Sequence, residues 1–392
     1  MLLRILLHTL LWPVLLGSIA WGCAVLWIDG PASRPVAGVL AGGFALAALV
    51  VLIRLRPLRN AVAAYGVLFV VLLGWWLSVS PSNDRDWQRD VAELPVATID
   101  GDRVTIRNVR NFEYRSSEDY TERWETRTYD LSRIVGLDVY FFHWGSPWIA
   151  HTIMSWNFEN GPPLAISIET RKELGESYSS TLGFFRQFEL YYVVADERDV
   201  IRLRTNYRND QGYLYRMTWS PETAGIFLLV YLEELNRLAR KPKWYNAFTQ
   251  NCTTSIQLHA QEADIATAWN WRMLVNGMGP ELLYERGLID SSLPFEELKT
   301  RSYVNDRAKA AGAVSDFSQR IREGLPPRPS CGSRIFMLPW EGSSDGVPGR
   351  QETRLHGPVR LIVPTDRPAH PCPMTDGFAT EGINPDKTRE VA

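Results

Sequence analysis

The chain has 392 residues, of which 45% are hydrophobic and 22% are charged. The formal net charge of −2 and the pI near 6.3 provide none of the basic surface that nucleic-acid-binding proteins carry, so we expect no nucleic acid partner. The length allows one sizeable domain plus additional segments.

Three charge-free segments lie near the N-terminus. Residues 5–28, 35–53 and 60–83 contain no Asp, Glu, Lys or Arg. At a rise of 1.5 Å per residue, each is long enough to cross a hydrocarbon core of roughly 30 Å. The sequence therefore predicts a transmembrane region over residues 1–80, with helices near 5–27, 36–53 and 61–79. The first apolar run is longer than that of a signal peptide and two more follow it, so we expect it to be retained.

The basic residues of the short loops predict the orientation, because cytoplasmic loops retain Lys and Arg. Arg4 precedes the first helix and three arginines, at positions 54, 56 and 59, separate the second from the third. The first loop contains one arginine, Arg34, beside Asp29. The N-terminus is therefore predicted to be cytoplasmic. The odd number of crossings then places the rest of the chain in the periplasm of a Gram-negative cell, anchored in the inner membrane as a multi-pass protein.

From Ser80 the sequence becomes polar and charged, which predicts a second domain over residues 81–325. Apolar and alternating segments predict a hairpin over residues 99–106 and strands over 137–144, 188–195 and 213–219. Ser220 followed by Pro221 predicts the start of a helix. A further helix is predicted from Cys252 to about Trp269, and a short one over residues 281–285.

The clearest hairpin covers residues 149–168, with its turn at residues 159–163. Because side chains alternate across a strand, its even positions, from Met154 to Ile168, form one apolar face. The odd positions share the opposite face, and Glu169 or Arg171 is predicted to lie almost opposite His151. The residues predicted to share this face are His151, Ser155, Ser167, Glu169 and Arg171.

Cys252 follows the polar turn at residues 249–251 and stands at the predicted start of a helix. The free N–H groups and the helix dipole at such a position favour an anion, so the thiol loses its proton more readily there. A thiolate is a nucleophile for acyl chemistry, and the N–H of Cys252 is then the natural donor to an oxyanion. The alternative is a buried structural cysteine at a helix cap.

A cysteine nucleophile requires a base, and imidazole has a suitable pKa. The predicted domain contains three histidines, His143, His151 and His259. His259 comes seven residues after Cys252, about 10 Å along the same helix, so we interpret it as a polar surface residue. His151 is favoured as the base because its strand neighbours supply a plausible orienting group while the other face of the strand belongs to the core. His143 remains the alternate.

Glu169 is the favoured orienting group for the histidine, because a carboxylate stabilises the imidazolium. Ser167 is the alternate orienting group, and Asn251 is a further possible site residue. An ion pair of Glu169 with Arg171 or another arginine is the non-catalytic alternative. No Cys-x-x-Cys, His-Glu-x-x-His or phosphate-binding glycine-rich loop is present in the sequence, so we expect neither a metal nor another cofactor.

The last segment, residues 326–392, contains 11 of the 24 prolines and no periodic apolar pattern. It is predicted to be a largely disordered tail. Cys331 and Cys372 both lie in it, and the sequence leaves open a disulfide between them.

Several short motifs resemble, in order, those of the Lnb N-terminal periplasmic domain family. They are Asn83-Asp84-Arg85-Asp86-Trp87, Ala150-His151-Thr152 with Ser155, Ile166-Ser167-Ile168-Glu169-Thr170-Arg171, Asp196-Glu197-Arg198-Asp199 with Arg202 and Arg204, and Tyr245-Asn246 with Asn251-Cys252-Thr253-Thr254. The resemblance extends over about 200 residues, from position 83 to position 289. It implies an α+β fold in which the transmembrane region precedes a permuted papain-like (NlpC/P60-type) domain. In that fold an antiparallel sheet packs on helices, and the histidine strand precedes the cysteine helix.

The resemblance further implies a thiol enzyme that N-acylates lipoprotein N-termini through a Cys thioester. The expected partners are therefore a lipid or lipoprotein substrate and the membrane, and the oligomeric state is left open. Trp144, Trp148 and Trp244 are candidates to line an acyl groove, or else pack in the core or at the membrane interface. A cell-wall cysteine peptidase or amidase is one alternative function, and a non-catalytic membrane-tethered binding module is another.

Overall fold

A computed structural model describes residues 2–31, 33–266, 268–273 and 275–328, with the backbone alone for residues 2–8. It is a mixed α+β protein with long apolar helices at its N-terminus and a sheet domain after them. The helices are α1 (Leu2–Ile28), α2 (Arg34–Arg54), α3 (Leu58–Ser78), α4 (Glu197–Arg202), α5 (Pro221–Arg240), α6 (Cys252–Glu262), α7 (Gly279–Glu285), α8 (Phe295–Ser302), α9 (Asn305–Ala311) and α10 (Phe317–Arg320). The strands are β1 (Val96–Asp100), β2 (Arg103–Arg110), β3 (Glu113–Tyr114), β4 (Tyr120–Thr121), β5 (Trp124–Asp130), β6 (Ile134–His143), β7 (Ala150–Phe158), β8 (Leu164–Arg171), β9 (Glu189–Asp196) and β10 (Gln211–Arg216).

The first three helices confirm the predicted apolar segments to within a few residues. Thr9–Ile28, Arg34–Arg54 and Leu58–Ser78 are long and apolar enough to cross a membrane. The helices pack on one another through a small cluster that includes Phe44 and Tyr65. Most of their other apolar side chains, such as Val39 and Leu46, are exposed. An apolar outer surface of this kind suits contact with lipid.

The sheet of the second domain has eight strands in the order β1-β2-β9-β8-β7-β6-β10, with β5 paired to β2. Its pairs are antiparallel except for β2 and β9, which are parallel and joined at Arg110 and Ala195. β3 and β4 form a separate two-stranded ribbon. The predicted antiparallel sheet packed on helices is therefore present.

The β7–β8 hairpin has the predicted register. Met154 pairs with Ile166 and Trp156 with Leu164, so the even positions of both strands share one face. They belong to the main core cluster, which also contains much of α5 and the first residue of α6. Ser220 caps α5 by accepting a hydrogen bond from the N–H of Thr223, as its position in the sequence predicted.

The odd-numbered face of the hairpin is also buried. Its polar residues alone did not predict this burial. Ile153 and Ala165 lie on this face, and a second core cluster joins them to side chains of α4, α9 and α10. The sheet is thus covered by helices on both faces. The polar residues of this face are therefore enclosed, and their charges must be paired inside the protein.

Two predicted element boundaries are wrong. α6 ends at Glu262 and not at about Trp269, because Asp264 adopts a left-handed conformation (φ 56°) that stops the helix. β10 ends at Arg216 and not at Trp219, since Met217 forms only an isolated bridge with Ile289.

The sheet domain contacts the end of α3. Trp244 donates a hydrogen bond from Nε1 to the carbonyl oxygen of Val79 at 3.2 Å. The guanidinium of Arg186 lies over the ring of Trp76, 4.6 Å from its centroid. The segment before α6 is therefore attached at the point where the chain leaves the apolar helices.

The structure describes the first three residues of the predicted tail. Arg216 donates a hydrogen bond to the carbonyl of Pro326, and Arg328 forms an ion pair with the buried Asp138. These contacts extend the packed domain slightly past the predicted boundary at residue 325. The rest of the predicted tail, with Cys331 and Cys372, lies outside the described residues.

Candidate functional site

Cys252 is the first residue of α6. Asn251 is the N-cap, and its side chain accepts a hydrogen bond from the N–H of Thr254 at 2.9 Å. The hydroxyl of Thr254 accepts in turn from the N–H of Asn251 at 2.9 Å, which completes a capping box. Asn251 therefore holds the start of the helix. The N–H of Cys252 precedes the first intrahelical hydrogen bond, so it is available to an acceptor.

His151 lies at the start of β7, where it interacts with the thiol of Cys252. Its Nε2 is 2.6 Å from Oγ of Ser167 and 3.0 Å from Oε1 of Glu169. The hydroxyl of Ser167 donates to the same oxygen of Glu169 at 2.7 Å. Because Nε2 is engaged by these two groups, Nδ1 is the nitrogen left for the thiol.

The pKa values of the cysteine and the histidine are displaced in opposite directions. Burial alone would raise the pKa of Cys252, but the contact with His151 and its charge lower it below the usual value. Burial and Arg204 would lower the pKa of His151, but Glu169 and the contact with Cys252 raise it above the usual value. Both displacements favour a thiolate beside an imidazolium.

Glu169 is held ionised by its neighbours. Burial would raise the pKa of Glu169, but the charges of His151 and Arg204 hold it well below the usual range. Arg204 donates from Nη2 to Oε1 of Glu169 at 2.9 Å. The ion pair that was the alternative for Glu169 is therefore present, with Arg204 as the arginine, and it coexists with the contact to His151. Arg171 instead donates to backbone carbonyls and lies over the ring of Trp87.

The other two histidines of the domain lie elsewhere. His143 pairs with Ala150 and with Gln211 across the sheet, and its ring packs edge-on against Tyr213 in a different cavity from that of Cys252. His259 was predicted to be a surface residue, and this is wrong. It is buried, with Nε2 2.6 Å from the hydroxyl of Tyr192, because α6 turns this side toward the sheet. The described structure thus brings only His151 to the thiol.

Residues 120–277 match the family model of the Lnb N-terminal periplasmic domain. The match confirms the family named from the sequence motifs, over a shorter range than positions 83–289, and it includes Cys252, His151 and Glu169. The motif at residues 83–87 lies outside it. No curated protein and no solved structure matches the chain. Together with the three apolar helices, the match supports a membrane-anchored protein with a periplasmic domain.

Asn276, near the end of the segment that matches the Lnb N-terminal periplasmic domain, was missed as a site residue. Its side chain accepts from the N–H of Ala150 at 2.9 Å and donates to the carbonyl oxygen of the same residue. It also donates to the hydroxyl of Thr253 at 3.0 Å, and its Nδ2 lies 3.8 Å from Sγ of Cys252. Asn276 therefore ties the start of β7 to the start of α6. No local pattern in the sequence around Asn276 distinguishes it as a site residue.

The thiol opens into a cavity of about 260 Å³. Cys252, His151 and Glu169 line it together, and Trp144 forms part of its wall. Within the described ranges of the chain, no group of three or more His, Cys, Asp or Glu side chains could hold a metal ion. The chemistry that these side chains can perform is nucleophilic attack by a thiolate with proton transfer through an imidazole.

Proposed function

We propose that the chain is a membrane-anchored periplasmic acyltransferase that uses Cys252 as its nucleophile and N-acylates the N-termini of lipoproteins. The observation that carries this proposal is the position of His151. Its ring lies between the thiol at the start of a helix and the ionised carboxylate of Glu169. That order of groups is what thiol acyl transfer requires.

In the first half-reaction, the thiolate of Cys252 attacks the carbonyl carbon of a fatty acyl ester. The negative charge that develops on the carbonyl oxygen is stabilised by the N–H of Cys252 at the helix start. The intermediate collapses with cleavage of the ester C–O bond, and the imidazolium of His151 gives its proton to the departing alcohol. The product is an acyl thioester on Cys252.

In the second half-reaction, the α-amino group of a lipoprotein's diacylglyceryl-cysteine attacks the thioester. His151, now neutral, accepts the proton that the amine loses, and the C–S bond breaks to leave the amide and the thiolate. Glu169 stabilises the imidazolium formed in this step, and the hydroxyl of Ser167 contacts the same nitrogen of the ring. The cycle therefore returns the site to its starting state.

The contact between the domain and α3 supports a lipid-bound substrate. Trp244 precedes the cysteine helix by a few residues and is hydrogen-bonded to Val79, at the end of the third apolar helix. We propose that the three helices span the inner membrane with the N-terminus in the cytoplasm. The site would then lie close to the ester bonds of lipids in the periplasmic leaflet, which raises their effective concentration.

We also propose that the domain is a permuted papain-like, NlpC/P60-type fold. The order of the elements supports this, because the strand that carries His151 precedes the helix that begins at Cys252. A cell-wall peptidase or amidase on the same scaffold is the second candidate, favoured by the polar and charged residues, such as Thr170 and Lys172, in the wall of the cavity. A binding module with an inert Cys252 is disfavoured by the lowered pKa of this thiol.

The decisive experiment is mass spectrometry of lipoprotein N-termini in a host that lacks its own N-acyltransferase. The host expresses the wild type, Cys252→Ala, or the control Cys23→Ala, which changes the free cysteine of α1. We expect N-acylated cysteine with the wild type and with Cys23→Ala, and none with Cys252→Ala. Free N-termini in all three strains would overturn the proposal. Release of stem peptides from peptidoglycan by the wild type would then favour the hydrolase.

A further inference from the structure

The cavity of Cys252 continues into a second, larger one. The second cavity has a volume of about 720 Å³. Trp144, Arg208 and Asp210 line both cavities, so they stand at the junction. The steps of acyl transfer derived above use no residue of the second cavity.

Several aromatic side chains line the wall of the second cavity. Trp148 and Tyr213 contribute to it, and Phe295 and Met278 add further apolar surface. Trp148 is exposed by 55%, although an indole is normally covered in a folded protein. An apolar chain that leaves the thiol past Trp144 would contact these aromatic and apolar side chains, and the charged Glu281 and Lys299 lie in the same wall.

Most charges around the thiol are neutralised inside the protein. Arg110 forms an ion pair with Asp199 at 2.9 Å. Arg204 pairs with Glu169 at 2.9 Å and with Asp210 at 3.1 Å. These pairs are satisfied without any ligand.

Two cationic side chains in the cavity of Cys252 are not neutralised by an ion pair within the described part of the chain. Among the described residues, neither Arg208 nor Lys172 has an ion pair or a side-chain hydrogen bond. The carboxylate of Asp90 lines the same cavity, likewise has no ion pair in the ranges that the structure describes, and acts on Arg208 through its charge. The side chain of Arg208 is exposed at the junction of the two cavities. It stands just after a π-helical turn (Leu203–Tyr207), and its N–H closes that turn on the carbonyl of Leu203. Turns of this kind often place functional side chains.

We propose that Arg208 and Lys172 bind the anionic head group of a lipid substrate whose acyl chain lies along the aromatic side chains of the second cavity. This inference rests on the proposed acyltransferase function and names its donor more closely. A guanidinium binds phosphate oxygens through two parallel hydrogen bonds, and an ammonium adds a point charge. With two unpaired cations against one unpaired acid, the site favours a lipid of net negative charge over a zwitterionic or uncharged one.

The first test measures the anion site without requiring acyl transfer. Iodoacetate and iodoacetamide alkylate thiols by the same reaction, but only iodoacetate is negatively charged. The rate with iodoacetate divided by the rate with iodoacetamide therefore reports the electrostatic potential at Cys252. We would follow alkylation by peptide mass spectrometry in full-length wild type, Arg208→Gln, Lys172→Gln and the control Arg103→Gln, which lies in the β1–β2 hairpin.

We expect Arg208→Gln to lower the ratio about fivefold at low salt and Lys172→Gln to lower it less. The effect should shrink at high salt, and Arg103→Gln should match the wild type. An unchanged ratio in Arg208→Gln would overturn the proposal.

The second test identifies the source of the anion. The rate of thioester formation on Cys252 is measured by intact mass in mixed micelles that contain phosphatidylglycerol, phosphatidylethanolamine or diacylglycerol. We expect the wild type to react about tenfold faster with phosphatidylglycerol than with diacylglycerol, on the scale of a charged hydrogen bond. Arg208→Gln should lose most of this preference, and Arg103→Gln should keep it.

Equal rates with all three lipids in the wild type would overturn the lipid assignment while leaving the acyltransferase proposal intact. No thioester with any lipid would contradict both the lipid substrate and the proposed function. In that case, a ratio of alkylation rates that still depends on Arg208 would assign the anion site to another substrate.

Discussion

Arg204 and His151 contact the same oxygen of Glu169. Oε1 of this carboxylate lies 2.9 Å from Nη2 of Arg204 and 3.0 Å from Nε2 of His151. The arginine keeps the carboxylate ionised, and the ionised carboxylate in turn favours the protonated imidazole. A structural ion pair and a candidate catalytic contact are therefore parts of one network.

The first prediction concerns Glu169→Gln. Glu169 raises the pKa of His151, so replacing this carboxylate with a neutral amide lowers that pKa. The imidazole is then less often protonated, and the loss of its positive charge allows the pKa of Cys252 to rise. We expect the pH profile of Cys252 alkylation by iodoacetamide to move to higher pH. The rate at pH 7 should fall about tenfold, on the scale of a charged hydrogen bond.

Glu118→Gln, at an exposed loop position, is the control and should match the wild type. An unshifted profile in Glu169→Gln would mean that the carboxylate does not act on the dyad.

The second prediction concerns Asn276→Ala, which removes the link between β7 and α6. Asn276 carries no charge, so we expect the pH profile of Cys252 alkylation to keep its midpoint. The rate of thioester formation should fall about tenfold or more, because misplacement of reacting groups slows the reaction. Asn270→Ala is the control, since the Asn270 side chain accepts from the N–H of Arg272 and does not contact Cys252. Wild-type rates in Asn276→Ala would show that the link has no positioning role.

The third prediction concerns His259→Phe. His259 is buried and hydrogen-bonded to Tyr192, so the loss of this bond should cost about 1–3 kcal/mol of unfolding free energy. Cys252 lies on the same helix but depends on His151 for its lowered pKa. We expect a lower thermal midpoint with an unchanged pH profile of Cys252 alkylation. A displaced profile at unchanged stability would instead implicate His259 in the chemistry.

The fourth prediction is a pH-dependent stability that arises at Glu189. Burial raises the pKa of Glu189 to about 7, although the N–H of Ser82 and the charge of Arg85 act against the rise. The folded state therefore holds the proton more tightly than the unfolded chain. Stability decreases as the pH rises from the ordinary carboxyl pKa to about 7, and it is constant above that value.

Glu189→Gln removes this ionisation and keeps an acceptor for Ser82. We expect its thermal midpoint at pH 8 to exceed that of the wild type by a few degrees, since ~1 kcal/mol moves the midpoint of a domain of this size by about 2–4 °C. At pH 5 the midpoints of the two proteins should nearly coincide. Differential scanning calorimetry at both pH values is the measurement, with Glu118→Gln as the control. A difference between the proteins that is the same at both pH values would contradict this origin.

The sequence by itself determined the features that depend on local periodicity. Charge-free runs of sufficient length defined the three apolar helices, because a hydrocarbon core excludes charged side chains. Alternation along β7 and β8 placed His151 and Glu169 on one face, since the register of a hairpin follows from its turn. The capping residues before Cys252 located the start of α6.

Only the tertiary structure decided which elements meet. The approach of α6 to the start of β7 brings His151 and not His143 to the thiol, whereas the strand patterns in the sequence only favoured His151. The contacts of Arg204 with Glu169 and of Asn276 with Ala150 join residues 35 and 126 positions apart. Periodicity describes the environment of a residue within its own element. Contacts between distant elements are set by how both faces of the sheet are packed, so no local pattern could have predicted them.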